Sequence, residues 1–592
     1  MTTLKEITAG NKPVNWGLFK SDPGKFWKTF AWVVPVVALG VIWVMTRIMT
    51  VLPKILGDEL IYSNNARHTA PADSSVPNYF FNLLYSTTSN FGYGFYTAAK
   101  VYNLFFLVAL SAVVYLAARL IAKPGVSFVV ALIALVGPIS AYASYFTPEM
   151  MFYFGCAVVI YFALRFHART GVGKWALLGF GLGLVTLVKP HALFLTAPLL
   201  AYIVYLAFKG EGNGWLKSSA RLLTFTGALA ITKLGIGFAF AGQKGLSLFG
   251  GSYDSGAQAA ISSGGAPIGG ALTDPNVAVI AAGGAVGTTV WQVLFHISYM
   301  LMFLAVPLIL TGIQTIRAFR TKGEPSETTK VSFFLFVALI ALVLVSAAFV
   351  AYSSAFGETL QNRVMIRYYE YLIPFLPLTL LPLGNHIPKL GSAAKWAILA
   401  GAGVWLIIAL PNMSTIVPPL FTDSSMIASA IKSGIPLAVF AAAGVGMLAY
   451  WLFKPEMGSQ VWLYAFAPLM VLVYAISCYT NMTVPSSNVG MYTGSSRWVH
   501  DNISAKDREN IIVIGNNFQN VQAAQLWLDT PSSTGQMVAE GQEININDFP
   551  EKGQLILAIG KVALTGDGFI IKQENSWALI KNATPEEVKE SK

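Results

Sequence analysis

Gly57-Asp58-Glu59-Leu60-Ile61-Tyr62-Ser63-Asn64-Asn65-Ala66-Arg67-His68 stands a few residues beyond the end of the first apolar segment and opens a long polar loop. Two adjacent carboxylates at the edge of a bilayer are either part of a solvated loop or a functional pair. The remainder of the chain weighs the two. Of its 592 residues 55% are hydrophobic, 13% aromatic and only 11% charged, and the mean hydropathy is +0.59. That composition excludes a soluble enzyme and describes a polytopic membrane protein.

Working outward from the acidic pair with a window of about 19 residues, thirteen candidate spans emerge, at 29–52, 101–121, 126–144, 150–166, 175–189, 191–208, 220–241, 290–313, 331–352, 368–385, 396–411, 434–453 and 461–480. The fifth and sixth are short and read as a broken or re-entrant pair. The polar, lysine-bearing start to about Lys28 leads into an apolar stretch too long for a signal peptide and without a small-residue cleavage site, so it reads as a retained first span.

The even-numbered connections carry Arg119 and Lys123, then Arg165, Arg169 and Lys174, then Lys209, Lys217 and Arg221, then Arg317, Arg320 and Lys322, then Lys389 and Lys395, then Lys454. By the positive-inside rule they mark the cytoplasmic side, with the N-terminus inside and the C-terminus outside. The net charge of +11 is therefore topology, and with no basic run no nucleic-acid partner is expected. Cys156 and Cys478 both fall inside apolar segments, read as small buried hydrophobes and give no disulfide framework.

Beyond about Val484 the apolar runs shorten. Asn510–Gly515, Leu555–Ile559, Phe569–Lys572 and Trp577–Ile580 read as strands and Phe518–Leu528 as a helix. The expected architecture is an all-α polytopic membrane domain of about thirteen transmembrane helices over residues 1–483 and a small extracytoplasmic α/β domain over 484–592 that caps the site or guides an acceptor. Gly515-Asn516-Asn517 lacks the spacing of a nucleotide loop. No internal repeat is evident, which weighs against alternating-access transport. The Gly-rich stretch from Gly250 to Gly287 reads equally as a mobile lid or as a floppy loop.

On the predicted outer side, Glu149 follows Pro148 in a short turn and is either a carboxylate favoured by a helix start or a third acid facing the Asp58-Glu59 cavity. Lys189-Pro190-His191 interrupts apolar sequence, marking a turn or a polar pocket whose cation would attract phosphate. Lys233 lies inside a span, where an ammonium must snorkel or face a polar cavity holding an anion. Arg363 and Arg367, before Tyr368-Tyr369-Glu370-Tyr371, share one face if the segment is helical. Guanidinium pairs suit phosphate capture, and Arg and Tyr are also ordinary interface anchors.

Taken together, the Asp-Glu pair in the first outer loop, the acid in the second outer turn, the Lys-Pro-His break after Gly181-Leu182-Gly183-Leu184, the Arg-Tyr pair followed by Pro374 and Pro377, and the outer α/β tail resemble the GT-C glycosyltransferases. The likeness is closest to the bacterial aminoarabinose, arabinosyl and protein mannosyl transferases. Gly92 through Lys100-Val101-Tyr102-Asn103 is similar to the end of that family's first loop.

The resemblance implies transfer of a sugar, a pentose such as arabinose among the candidates, from a polyprenyl-phosphate donor to a lipid, glycan or protein acceptor. It places Asp58 as the base, with Glu59 and Glu149 beside it in the catalytic group. Lys100, Lys189, Arg363, Arg367 and Lys233 become candidates for the donor phosphate, and Arg67, His68, His191 and Tyr368 for the acceptor or other contacts. A carboxylate can take the proton of an attacking hydroxyl in an inverting single displacement while cations stabilise the departing phosphate. No cofactor is required; a divalent metal on Asp58, Glu59, His68 and Glu149 is open, although their spacing does not demand one.

Two other classes stay in view: a polymerase or ligase using a diphosphate-linked carrier, and a lipid-linked sugar flippase or transporter. Asn-x-Ser/Thr sites at Asn412, Asn481, Asn502 and Asn582 keep an endoplasmic-reticulum host open. Cysteine-free outer parts favour a bacterial inner membrane, with a periplasmic C-terminus and membrane lipids as further partners.

Overall fold

The computed structural model describes residues 23–53, 56–210, 214–249, 275–321, 323–355, 363–381, 390–416, 423–482, 489–549, 553–560, 562–566 and 568–582. The start before Pro23, most of the Gly-rich stretch read as a lid or a floppy loop, and the expected boundary between Thr483 and Val484 lie outside the described residues.

Among the described residues seven helices are long and apolar enough to cross a membrane, or nine if each of two bent pairs forms one span. Four shorter apolar helices, Val34–Thr50, Glu149–Leu164, Val172–Thr186 and Glu370–Leu380, accompany them. Each of the thirteen expected windows falls on one of these elements. Among the described residues the two bent pairs are Pro124–Val136, which meets Pro138–Ser144 at 44°, and Ser425–Lys432, which meets Leu437–Phe453 at 118°. Gly434, at φ 76°, makes the second turn, a left-handed backbone that only glycine adopts at no steric cost.

The elements around the site are α1 (Pro23–Thr50), α2 (Leu56–Arg67), α3 (Tyr79–Tyr85), α4 (Phe95–Ala118), α5 (Pro124–Val136), α6 (Glu149–Leu164) and α7 (Val172–Thr186). Between the fifth and sixth windows the chain runs extended at Lys189, and Pro190 opens a 3-10 turn, because proline cannot donate to a continuing helix. α7 packs closely on the helix Gly214–Ala230. A Cβ at Gly179 would collide with the Phe225 carbonyl, and one at Gly183 with Thr232, so these two glycines four residues apart are what lets the helices touch.

Basic connections gather at one end of this body. Lys209 donates to the carbonyl of Thr321, Arg221 to that of Ala168 at 2.6 Å, and Lys330 to that of Phe166 at 3.2 Å and to Glu327 at 2.7 Å. Asp58, Glu149, Lys189 and Arg367 gather in a separate cluster.

The tail folds as helices and a mixed five-stranded sheet ordered β2-β1-β4-β7-β6. β1 (Ile512–Gly515) runs parallel to β2 (Thr534–Met537) and to β4 (Leu555–Ile559), while β7 (Trp577–Asn582) is antiparallel to β4 and to β6 (Gly568–Glu574). β3 (Glu543–Asn545) and β5 (Ala563–Thr565) form a separate pair. β2 is exposed along its whole length, which is why no apolar alternation announces it. Asn517 spends its side chain on the helix start, accepting from the N–H groups of Gln519 and Asn520 at 2.9 and 3.2 Å. The helix Phe518–Leu528 lies against α2: Gly57 sits beside Gln522, and Trp527 packs on Phe95 and Tyr96 with ring centroids 5.6 and 5.8 Å apart.

Candidate active site

α2 carries Asp58 and Glu59 in its first turn, where carboxylates complement the positive helix end. Successive helical residues diverge by about 100°, so the two acids part company. Asp58 keeps its side chain 37% exposed and accepts from Arg367 Nη1 at 2.9 Å. Glu59 is fully buried, and its Oε1 accepts from the Tyr96 hydroxyl at 2.5 Å and from the Phe146 N–H at 2.9 Å. The Glu59 carboxylate ties α2 to α4 and to the turn before α6.

Glu149, the first residue of α6, is buried and accepts from Lys189 Nζ at 2.6 Å. The extended backbone at Lys189 presents this ammonium, which also lies 5.9 Å from the ring centroids of Phe152 and Tyr368. Arg367 is within electrostatic reach of Asp58, Glu149 and Asp423, and Lys189 of Asp58. Two acids and two bases thus share one cluster built from four separate elements.

The segment holding the two arginines is not the helix that a shared face required. Ile366–Tyr368 is a single 3-10 turn, and Asp423 does the aligning. Its carboxylate grips Arg363 in a fork, Nε to Oδ2 at 2.6 Å and Nη2 to Oδ1 at 2.5 Å. Its carbonyl accepts from the Arg367 N–H at 2.9 Å, and the Arg367 carbonyl accepts from the Tyr153 hydroxyl at 2.6 Å. Asp423 escaped the reading although it is the sole acid between the eleventh and twelfth windows, and the alternation of basic connections puts that loop on the predicted outer side.

His191 stacks on Tyr368, ring centroids 4.6 Å apart and 13° from parallel. Next to the cluster, Glu370 accepts from Tyr142 at 2.9 Å and from Ser425 at 2.8 Å, so this buried carboxylate is hydrogen-bonded on both oxygens.

Two of the phosphate candidates lie on other elements. Lys100 Nζ donates to the carbonyl of Val51 at 2.5 Å and to that of Met49 at 3.4 Å, acting as a cation on the C-terminal end of α1. Lys233 is buried in a π turn, Ile231–Gly235, packed against α7. Arg67 and His68 also turn away from the cluster. Arg67 makes a fork on Asp529, at 2.5 and 2.8 Å, and stacks over Phe95 at 3.8 Å, while His68 Nε2 meets Asp529 Oδ1 at 2.9 Å. Asp529 ends the helix Phe518–Leu528 in the left-handed region at φ 54°. Burial works to raise its pKa, yet hydrogen bonds from His68 and Arg67 prevail and hold it at about 2.

The four residues that were open as metal ligands do not assemble. Asp58 is on Arg367, Glu59 on Tyr96 and Phe146, Glu149 on Lys189 and His68 on Asp529. Among the described residues no group of three or more His, Cys, Asp or Glu side chains could hold a metal ion, so these residues do not fit one.

No curated protein matches the chain. Among solved structures it aligns with ArnT from Cupriavidus metallidurans bound to undecaprenyl phosphate, over 94% of this chain and 98% of that one, at 13% identity and a TM-score of 0.49. The apo state of that ArnT aligns over 94% and 100%, at 14% identity and a TM-score of 0.43. The oligosaccharyltransferase AglB from Archaeoglobus fulgidus, in complex with an inhibitory peptide and a dolichol-phosphate, aligns over 90% and 70%, at 12% identity and a TM-score of 0.41. Residues 76–234, which hold Glu149, Lys189 and His191, match the profile of the dolichyl-phosphate-mannose-protein mannosyltransferase family. Over that stretch the chain is similar to membrane glycosyltransferases, the class that its sequence motifs resemble.

Proposed function

We propose that this multi-pass membrane protein is a glycosyltransferase that moves a sugar from a polyprenyl-phosphate donor to a lipid, glycan or protein acceptor, with Asp58 as the base. The observation that carries the proposal is the Asp58–Arg367 pair at 2.9 Å beside the Glu149–Lys189 pair. One half-open carboxylate stands next to cations that a phosphate can share. Asp58 Oδ takes the acceptor's hydroxyl proton as that oxygen attacks the anomeric carbon. The bond from that carbon to the phosphate oxygen breaks, and Arg367 and Lys189 stabilise the charge that builds on the leaving phosphate. Glu149 keeps Lys189 charged and aimed, and Asp423 holds Arg363 and the Arg367 backbone. The family profile over residues 76–234 supports the lipid-phosphate donor class.

On this reading the thirteen apolar elements cross the membrane with the N-terminus inside. The cluster lies on the outer face of a bacterial inner membrane, and residues 484–592 form an extracytoplasmic domain docked on α2. A pentose donor such as an arabinosyl lipid is the finer alternative within the class. Mass spectrometry of lipid copurifying with the full-length protein, followed by incubation with polyprenyl-phosphate sugars, tests the proposal. A bound polyprenyl phosphate and a transferred sugar are expected. Movement of lipid-linked sugar across vesicles without transfer would refute it.

A further inference from the structure

Arg47 lies three residues before the end of α1 and is only 5% exposed. Its Nη2 donates to the Ser140 hydroxyl at 2.7 Å. The guanidinium rests over the rings of Trp43 and Tyr474, at 5.1 and 5.4 Å from their centroids. Nη1 is buried and, among the described residues, has no hydrogen-bond acceptor. Nor does any carboxylate among the described residues stand within ion-pair distance of it. Burying a guanidinium without a counter-ion is costly.

Arg47 is also part of the wall of a groove between α1, α5 and the helix Ala467–Met482. Apart from Thr46 and Thr50 the rest of the groove's lining is apolar, and its flanks are open: Leu39 is 67%, Leu472 53% and Ile476 57% exposed. On a membrane protein such a flank faces lipid chains. A soluble anion gains nothing from these walls, and a neutral lipid leaves Nη1 as it is. The ligand that satisfies both is an anion carrying its own hydrocarbon chain.

We propose that this groove binds an anionic phospholipid, its phosphodiester beside the Arg47 guanidinium and an acyl chain along Leu39 and Leu472. The site shares no residue with the Asp58–Arg367 cluster, so it stands whatever reaction that cluster performs.

The test uses the full-length protein in detergent, titrated separately with phosphatidylglycerol, phosphatidylcholine and polyprenyl phosphate, with retained lipid counted by native mass spectrometry. Phosphatidylglycerol should be retained roughly tenfold better than phosphatidylcholine, the order of one charge-assisted hydrogen bond. Arg47→Met should remove that preference. Because Arg47 also holds Ser140 and stacks on Tyr474, Leu472→Trp, which fills the groove from an exposed position, gives an independent reading and should lower phosphatidylglycerol retention. Equal retention of the two phospholipids, or wild-type retention of phosphatidylglycerol by both variants, would overturn the proposal. So would polyprenyl phosphate binding that is tighter than phosphatidylglycerol and is blocked by Leu472→Trp.

Discussion

Arg367 donates from Nη1 to Asp58 Oδ2 at 2.9 Å, joining residues that are 309 positions apart. The pair leaves the Asp58 side chain partly open, 37% exposed. A donor phosphate entering the cluster competes for the same guanidinium, so release of Asp58 accompanies donor binding in the proposed reaction.

Glu149 and Lys189 should behave as one unit. Each is almost wholly buried, and removing one partner of a buried pair leaves an uncompensated charge at a cost of about 3–5 kcal/mol. Glu149→Gln and Lys189→Met should each lower the unfolding midpoint in detergent, and the double variant should fall short of their sum. Strict additivity would show that the pair is not coupled.

Lys100→Met should lower stability while leaving the KM for donor lipid unchanged, because its ammonium caps the carbonyls of Met49 and Val51. Lys189→Met should raise that KM. A rise of equal size for Lys100→Met would return Lys100 to the phosphate site.

The contact between α2 and the tail depends on pH through Asp529. Its pKa is lowered from 3.8 to about 2 by His68 and Arg67, against the opposing effect of burial. A lowered folded value means that the contribution, about 2 kcal/mol by linkage, is complete above the unfolded value near 3.8. It is lost as pH falls towards 2. Hydrogen exchange in Leu56–Arg67 should accelerate over that window, and Asp529→Asn should show fast exchange already at neutral pH. A variant that exchanges like wild type at neutral pH would contradict the clamp.

A hydropathy window placed each span on an apolar element among the described residues, because bilayer-length hydrophobic runs are a strong local signal. Asp58, Glu149, Lys189 and Arg367 were legible for a related reason, since charges are few and each stands out at the edge of such a run. Partnerships were not legible. Nothing local says that Glu59 turns inward to Tyr96, that Lys100 reaches back to α1, or that Arg67 leaves the cluster for a carboxylate 462 positions later. Asp423 and Asp529 act only through a fold that brings distant loops together. β2, exposed throughout, offered no pattern to read.

In the proposed sugar transfer Asp58 is the base. The most direct measurement is single-turnover transfer from a radiolabelled polyprenyl-phosphate sugar by wild type and by Asp58→Asn, with donor binding measured alongside. Loss of a general base predicts a rate lower by about 10²–10⁴ with donor binding retained. Transfer by Asp58→Asn at the wild-type rate would contradict the account.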